Sequence, residues 1–332
     1  SYQGASESLG EDNAAGGILR LYATWTLTGR GTADTGALVA KVENRNRIAT
    51  DIAPQQLASE IGYAGLTSIV YSDAGSLLTN LYWQQSFKNN RWAFVAGIVD
   101  TTDYVALYGM ANPWTEVSNL VFSTDPTIAV PNQGLGGAVR GRFKDNYYLL
   151  AGMADTNGDP SDPGDSFDSF FDEHEYFKHV EFGWFPTWEN RFVENTHVSV
   201  WQADERKEAG VPEGWGASFS FSRMMNERWL SFLRAGYSDG GGGPILERSL
   251  SAGVGYYRQT RKDFMGIGLN WGQPSKGTFG KVDDQVTFEW YYRFQIFRHM
   301  TFTPNVQLLV NPALNPEEDR IWVLGLRTRI TL

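Results

Sequence analysis

Residues 285–296, QVTFEWYYRFQI, alternate without a break between two kinds of side chain. Val286, Phe288, Trp290, Tyr292, Phe294 and Ile296 take one parity, and Gln285, Thr287, Glu289, Tyr291, Arg293 and Gln295 take the other. Successive side chains of a strand point to opposite faces, so the segment is a strand with one apolar and one polar face. A short turn, FRH, leads into MTFTPNVQLLV, where Met300, Phe302, Pro304, Val306 and Leu308 alternate with Thr301, Thr303, Asn305 and Gln307. Two such strands joined so closely form a hairpin.

The same pattern stands at both ends of the chain. Leu19, Leu21, Ala23, Trp25 and Leu27 oppose Arg20, Tyr22, Thr24 and Thr26, while Trp322, Leu324, Leu326, Ile330 and Leu332 oppose Arg327, Arg329 and Thr331. Regular stripes on both terminal strands are expected if the two pair with each other and close a cylinder, which removes both sheet edges. Strands are predicted over 17–28, 35–46, 62–72, 76–87, 91–100, 134–144, 147–155, 176–186, 192–203, 213–223, 228–238, 247–258, 263–273, 283–296, 299–311 and 320–332. Short connections at 87–91, 144–146, 224–227 and 297–299 alternate with longer ones at 101–133, 155–175, 204–213, 239–246, 272–282 and 311–319. An even strand number with that asymmetry of turns is the pattern of a transmembrane barrel, whereas a soluble sandwich gives no reason for it. Ahead of the predicted strand 62–72, Pro54 in DIAPQQLASEI is placed for the first turn of a short helix.

The chain therefore reads as all-β, a closed antiparallel transmembrane β-barrel of about 16 strands. One domain is expected over 1–332, with 1–16 a flexible mature N-terminus and long inward or external loops near 101–133 and 155–175. Composition agrees. Aromatics reach 14%, with 12 Trp, at a mean hydropathy of −0.35, as expected when Trp and Tyr form girdles at two membrane interfaces. No run approaches 18 apolar residues, so no helical span is predicted. The start, SYQGASESLGEDNAAGG, reads as that of a mature chain whose leader has been removed. The absence of Cys excludes disulfides and thiolate metal sites. A net charge of −10 argues against nucleic acid as a partner.

Several segments resemble a known family. FEWYYRFQIFRHMTFTPNVQLLVNPALNPEEDRIWVLGLRTRITL is similar to the closing hairpins of the carbohydrate-selective outer-membrane porins, the OprB-like porins, with their TP-V-Q and NP elements and a final Arg-containing strand. RKDFMGIGLNWGQPS, FLRAGYSDG and VPNQGLGGAVRGRFKDNYYLLAGMADTNGD are also similar to segments of that family. The resemblance implies a sixteen-stranded barrel that passes sugars across the outer membrane of a Gram-negative bacterium.

In such a barrel the polar face lines the path and sets what passes. By parity Arg20, Arg140, Arg142, Arg234, Glu289, Arg293, Arg327 and Arg329 fall on the inner face, with Gln295 and Gln307 nearby. Arginine presents a rigid fork of donors suited to hydroxyl pairs or carboxylates. For any one of them, pairing with Glu181, Glu289 or another acid in a wet interior is the simpler reading. Loop 101–133 carries Tyr104, Tyr108 and Trp114, and part of it is expected to fold inward and narrow the bore, with Trp114 a further pore-lining candidate. An external loop with ordinary interface aromatics is the alternative.

Segment 155–176 is acidic, with Asp155, Asp159, Asp162, Asp165, Asp168, Asp172, Glu173 and Glu175 and no Lys or Arg. Its DTNGDPSD spacing offers oxygen ligands for Ca²⁺ but lacks the full twelve-residue loop, so a solvated acidic surface is the better reading. Of the four histidines, His174 and His179 lie five apart, on opposite sides of any strand. His197 and Ser199 share a face, but no orienting acid or oxyanion hole is placed beside them. With no G-x-S-x-G, H-E-x-x-H or phosphate-cradling glycine loop, an outer-membrane enzyme is the remote alternative. No catalytic residue, metal or cofactor is predicted. The partners are outer-membrane lipids and small solutes, carbohydrates first, with assembly into a homo-oligomer left open. The nearer alternative is an arginine-lined pore for small organic acids.

Overall fold

The computed structural model describes residues 1–258 and 263–332. Its sixteen strands are β1 (Tyr2–Ala5), β2 (Asn13–Thr28), β3 (Gly36–Arg47), β4 (Gly75–Phe87), β5 (Trp92–Val99), β6 (Gly134–Phe143), β7 (Tyr147–Asp155), β8 (Tyr176–Trp184), β9 (Asn195–Ala203), β10 (Gly214–Met225), β11 (Trp229–Ser238), β12 (Leu246–Arg258), β13 (Asp263–Pro274), β14 (Gln285–Phe297), β15 (Met300–Val310) and β16 (Arg320–Ile330). Each pairs antiparallel with the next, and β1 closes the cylinder by pairing with both β16 and β2. No helix among the described residues is long and apolar enough to cross a membrane, which says nothing of strands.

The parity read from the sequence is the parity of the wall. Glu289 pairs in register with Gln307 and Thr287 with Leu309, all inward and buried, while Phe288 and Leu308 pair on the outer face. Leu19 is 67% exposed, Leu269 54% and Leu324 58%, whereas Glu289 is 1% exposed. A water-soluble protein would be inverted here. An apolar exterior around a polar interior is stable only with hydrocarbon outside.

Two expectations at the seam are corrected. Residues 62–72 form no strand. They belong to an inward loop that follows a short helix, α1 (Leu57–Glu60), and Tyr63 and Ala64, of opposite parity, are both buried. A segment packed on both sides has no lipid face to keep. The sixteenth strand comes instead from the start of the chain: residues 1–16, expected to be flexible, contain β1, where Tyr2 pairs with both Leu326 and Ala15. The long first and last strands thus close through β1 rather than directly. Residues Arg261 and Lys262 of the RKDFMGIGLNWGQPS segment lie outside the described residues.

Two long loops enter the cylinder from the end opposite the short turns. The loop after β3 buries Leu57, Ile61 and Tyr63 against Leu309, Ile321 and Val323 of β15 and β16. The loop after β5, residues 100–133, buries Met110, Val117, Val121 and Phe122 against Leu230, Phe232, Phe264 and Tyr291 on the inner wall. Inner-face glycines leave the room: a Cβ on Gly268 would lie 2.7 Å from the Phe122 ring, and one on Gly266 2.6 Å from the Met110 methyl. Of the short-turn connections, 185–194 departs from the expected brevity. It also turns inward, with Val193 packed against the same apolar cluster as Met110.

Candidate functional site

The loop that enters after β5 crosses the lumen and is tied to the wall along its length. Glu289 on β14 accepts the backbone N–H groups of Ser118 (2.8 Å) and Asn119 (3.1 Å). Asn119 donates to Gln307 (2.8 Å) and caps a short helix, α2 (Leu120–Ser123), by accepting from Val121 N. Arg327 donates to the carbonyls of Pro113 (2.7 Å) and Glu116 (2.5 Å). Arg234 donates to the Thr124 carbonyl (2.6 Å) and lies 3.5 Å from Asp125. Glu116 takes the hydroxyl of Tyr291 (2.9 Å) and pairs with Arg293. Hydrogen bonds involving a charged group stabilise by roughly 1.5–3 kcal/mol each, and here they bind a segment with little regular structure of its own. The loop before β4 adds a second layer, its Thr67 carbonyl accepting from Gln3, Gln307 and Ser118.

The inward residues therefore divide into two groups. Arg234, Glu289, Arg327 and Gln307 are 5% exposed or less and face the loop, not water. They are inside the cylinder as parity requires, but the loop covers them. Arg293 is mostly consumed by Glu116. Gln295 sits near the short-turn end and donates to the backbone of its own turn, beside Arg329 and Thr115 around a recess of about 190 Å³.

The loop tip also reaches the inner face of β2. Trp114 stands at that tip. The Arg20 guanidinium lies 3.3 Å from its ring centroid and Tyr71 6.3 Å away, and Arg20 is also paired with Glu43 (2.6 Å). Among the described residues Arg329 has no carboxylate within ion-pair distance. Asp103, on the first leg of the loop, meets Lys41 at 3.3 Å and Asn80 at 3.1 Å. Enclosure by the barrel and the nearby Asp100 hold its carboxyl above the usual carboxylate range, against the pull of Lys41.

Nearer the short-turn end, Arg140 and Arg142 reach the turn 185–194. Their guanidinium carbons lie 4.4 and 4.3 Å from the Trp188 ring, and that of Arg191 lies 3.8 Å from it. The turn's role was not legible in the sequence, since Trp188 and Arg191 sit in a polar stretch with no strand parity to orient them. Asp155 is buried and accepts Ser166 Oγ at 2.9 Å, so part of the acidic segment orders its own loop. Ser199 donates to Glu181 (2.6 Å), and His197 lies 3.9 Å from that carboxylate. Among the described residues no three His, Asp or Glu side chains converge as a metal site.

A closed cylinder with an apolar exterior, a polar interior and loops folded inward defines a sixteen-stranded transmembrane barrel with the architecture of bacterial outer-membrane porins. Residues 190–332 match the family model of the carbohydrate-selective porins, OprB family, so the likeness seen in the closing hairpins is shown. Among solved structures, the high-pH structure of Pseudomonas putida OprB superposes with a TM-score of 0.76 at 14% identity, covering 99% of this chain and 91% of that one. A mutant Rhodopseudomonas blastica porin gives 0.55 at 10% identity, covering 99% and 96%. At those identities the likeness is one of fold. A search of the curated proteins returns no match.

Proposed function

We propose that the chain is a sugar-selective porin of a Gram-negative outer membrane, passing mono- or oligosaccharides by facilitated diffusion without energy coupling. The observation that carries this reading is Arg20 stacked on Trp114 at the tip of the clamped loop, inside the cylinder. A sugar ring offers an apolar face to aromatic side chains and pairs of hydroxyls to planar guanidinium donors. Tyr71 stands near Arg20 and Trp114, and Arg329 lies close enough to Arg20 for the two charges to repel. The family match over 190–332 supports the same solute class.

A second reading, a pore for small organic acids, is favoured by Arg329, Arg140 and Arg142, which lack carboxylate partners among the described residues. Liposome swelling with the purified protein separates the two. The sugar reading expects glucose to enter faster than succinate of similar size. Faster entry of succinate supports the second reading, and no swelling above that of empty liposomes ends both.

A further inference from the structure

A cavity of about 250 Å³ opens off the lumen between β5, β6, β7 and β8, the first leg of the inward loop and the turn 185–194. Its walls are mainly apolar, including Val95, Leu107, Ala138, Leu150 and Phe185, yet Arg140 and Arg191 also line it. Those two guanidiniums and that of Arg142 converge on one indole, Trp188, within 4.4 Å of its ring. Like charges so gathered need compensation. Among the described residues none of the three has a carboxylate within ion-pair distance. Burial and the neighbouring Arg142 push Arg191 below its usual pKa, with Glu189 acting the other way.

The two carboxylates on the cavity wall are already engaged. Glu181 accepts Tyr148 Oη (2.7 Å), Ala106 N (2.8 Å) and Ser199 Oγ (2.6 Å). Asp103 is held by Lys41 and Asn80. Three polar atoms of lining residues, Arg140 Nε, Tyr104 Oη and Asn195 Oδ1, are buried without a hydrogen-bond partner. Such atoms are costly unless something fills the space and bonds to them.

We infer that this cavity is a binding site for a small carboxylate with an apolar, ring-sized body, its charge met by Arg140 and Arg191 and its ring enclosed by the apolar wall. An apolar cavity of about 150 Å³ accommodates benzene, so this one has room for benzoate. The inference goes beyond sugar passage and rests on that reading only in taking the lumen as the route of entry.

Calorimetry on the purified, detergent-solubilised chain tests it with benzoate, acetate and glucose. Benzoate is expected to bind at least tenfold more tightly than acetate. Arg191→Gln should weaken benzoate about tenfold by removing charge, and Ala138→Leu should weaken it as much by filling space. Absence of benzoate binding overturns the site, as does equal binding of acetate or indifference to both substitutions. Heat-modifiable migration on a gel establishes that each variant is folded. Glucose swelling by the unaltered protein is read separately: its loss ends the porin reading, whereas loss of benzoate binding ends only this site.

Discussion

The Arg20 guanidinium stacks 3.3 Å from the centre of the Trp114 ring, joining the first long strand of the wall to the tip of the loop that crosses the bore. The contact ties β2 to the inward loop, and in the proposed function it forms an edge of the passage. Arg20 cannot move freely because Glu43 holds it and is itself shared with Arg45 at 2.6 Å.

Trp114→Ala removes the ring from that edge. A cation–π contact of this kind stabilises by roughly 0.5–2 kcal/mol, enough to order a loop tip but not to fold a barrel. The variant should assemble normally, conduct more ions per channel and discriminate less between glucose and a trisaccharide. Planar-bilayer conductance and liposome swelling read the two effects, and unchanged discrimination would remove Trp114 from the passage.

Glu289→Ala leaves the N–H groups of Ser118 and Asn119 buried without acceptors. Each orphaned donor costs about 1–3 kcal/mol, and the loop is the element able to move in response. Single channels of the variant should flicker between conductance levels, and the temperature of gel-shift unfolding should fall. A steady, wild-type trace would show that the apolar contacts alone hold the loop.

Gly268→Val probes those apolar contacts. The added side chain meets the Phe122 ring at a distance no real Cβ adopts, and overpacking of this type costs about 1–3 kcal/mol. Because hydrogen bonds within the wall are untouched, the strain falls on the loop. We expect a barrel of normal gel mobility whose loop is displaced, seen as faster proteolysis within residues 100–133.

Selectivity is expected to depend on pH through Asp103. Its carboxyl titrates above the ordinary range, so on acidification it takes up a proton earlier than an exposed aspartate would. The lumen then loses a negative charge while its arginines stay charged. Reversal potentials in a salt gradient should shift towards anion preference as pH falls, beginning above the usual titration range of Asp. Asp103→Asn should be shifted that way already at neutral pH and should lose this step.

What was legible in the chain follows from one local rule. Alternation of Phe288, Trp290 and Phe294 with Glu289 and Arg293 told which side chains meet lipid, because strand geometry places neighbours on opposite faces whatever lies around them. The barrel and the inward placement of the arginines rest on that rule, and the count of sixteen agreed only because the missed β1 offset the strand wrongly expected at 62–72. The rule fails where no alternation exists, at residues 62–72 and at the four-residue β1, whose place is set by partners more than 300 residues away in the chain.

The fate of each inward side chain was decided only by the folded whole. Arg140 and Arg327 both fall on the inner face and have the same chemistry, yet Arg327 is covered by the carbonyls of Pro113 and Glu116, while Arg140 lines a cavity. The difference lies in where one loop settles, and its apolar residues find their seats through glycines on β13 and rings on β11 and β14. Packing of that kind depends on the three-dimensional fit of distant segments, for which a linear pattern carries no signal.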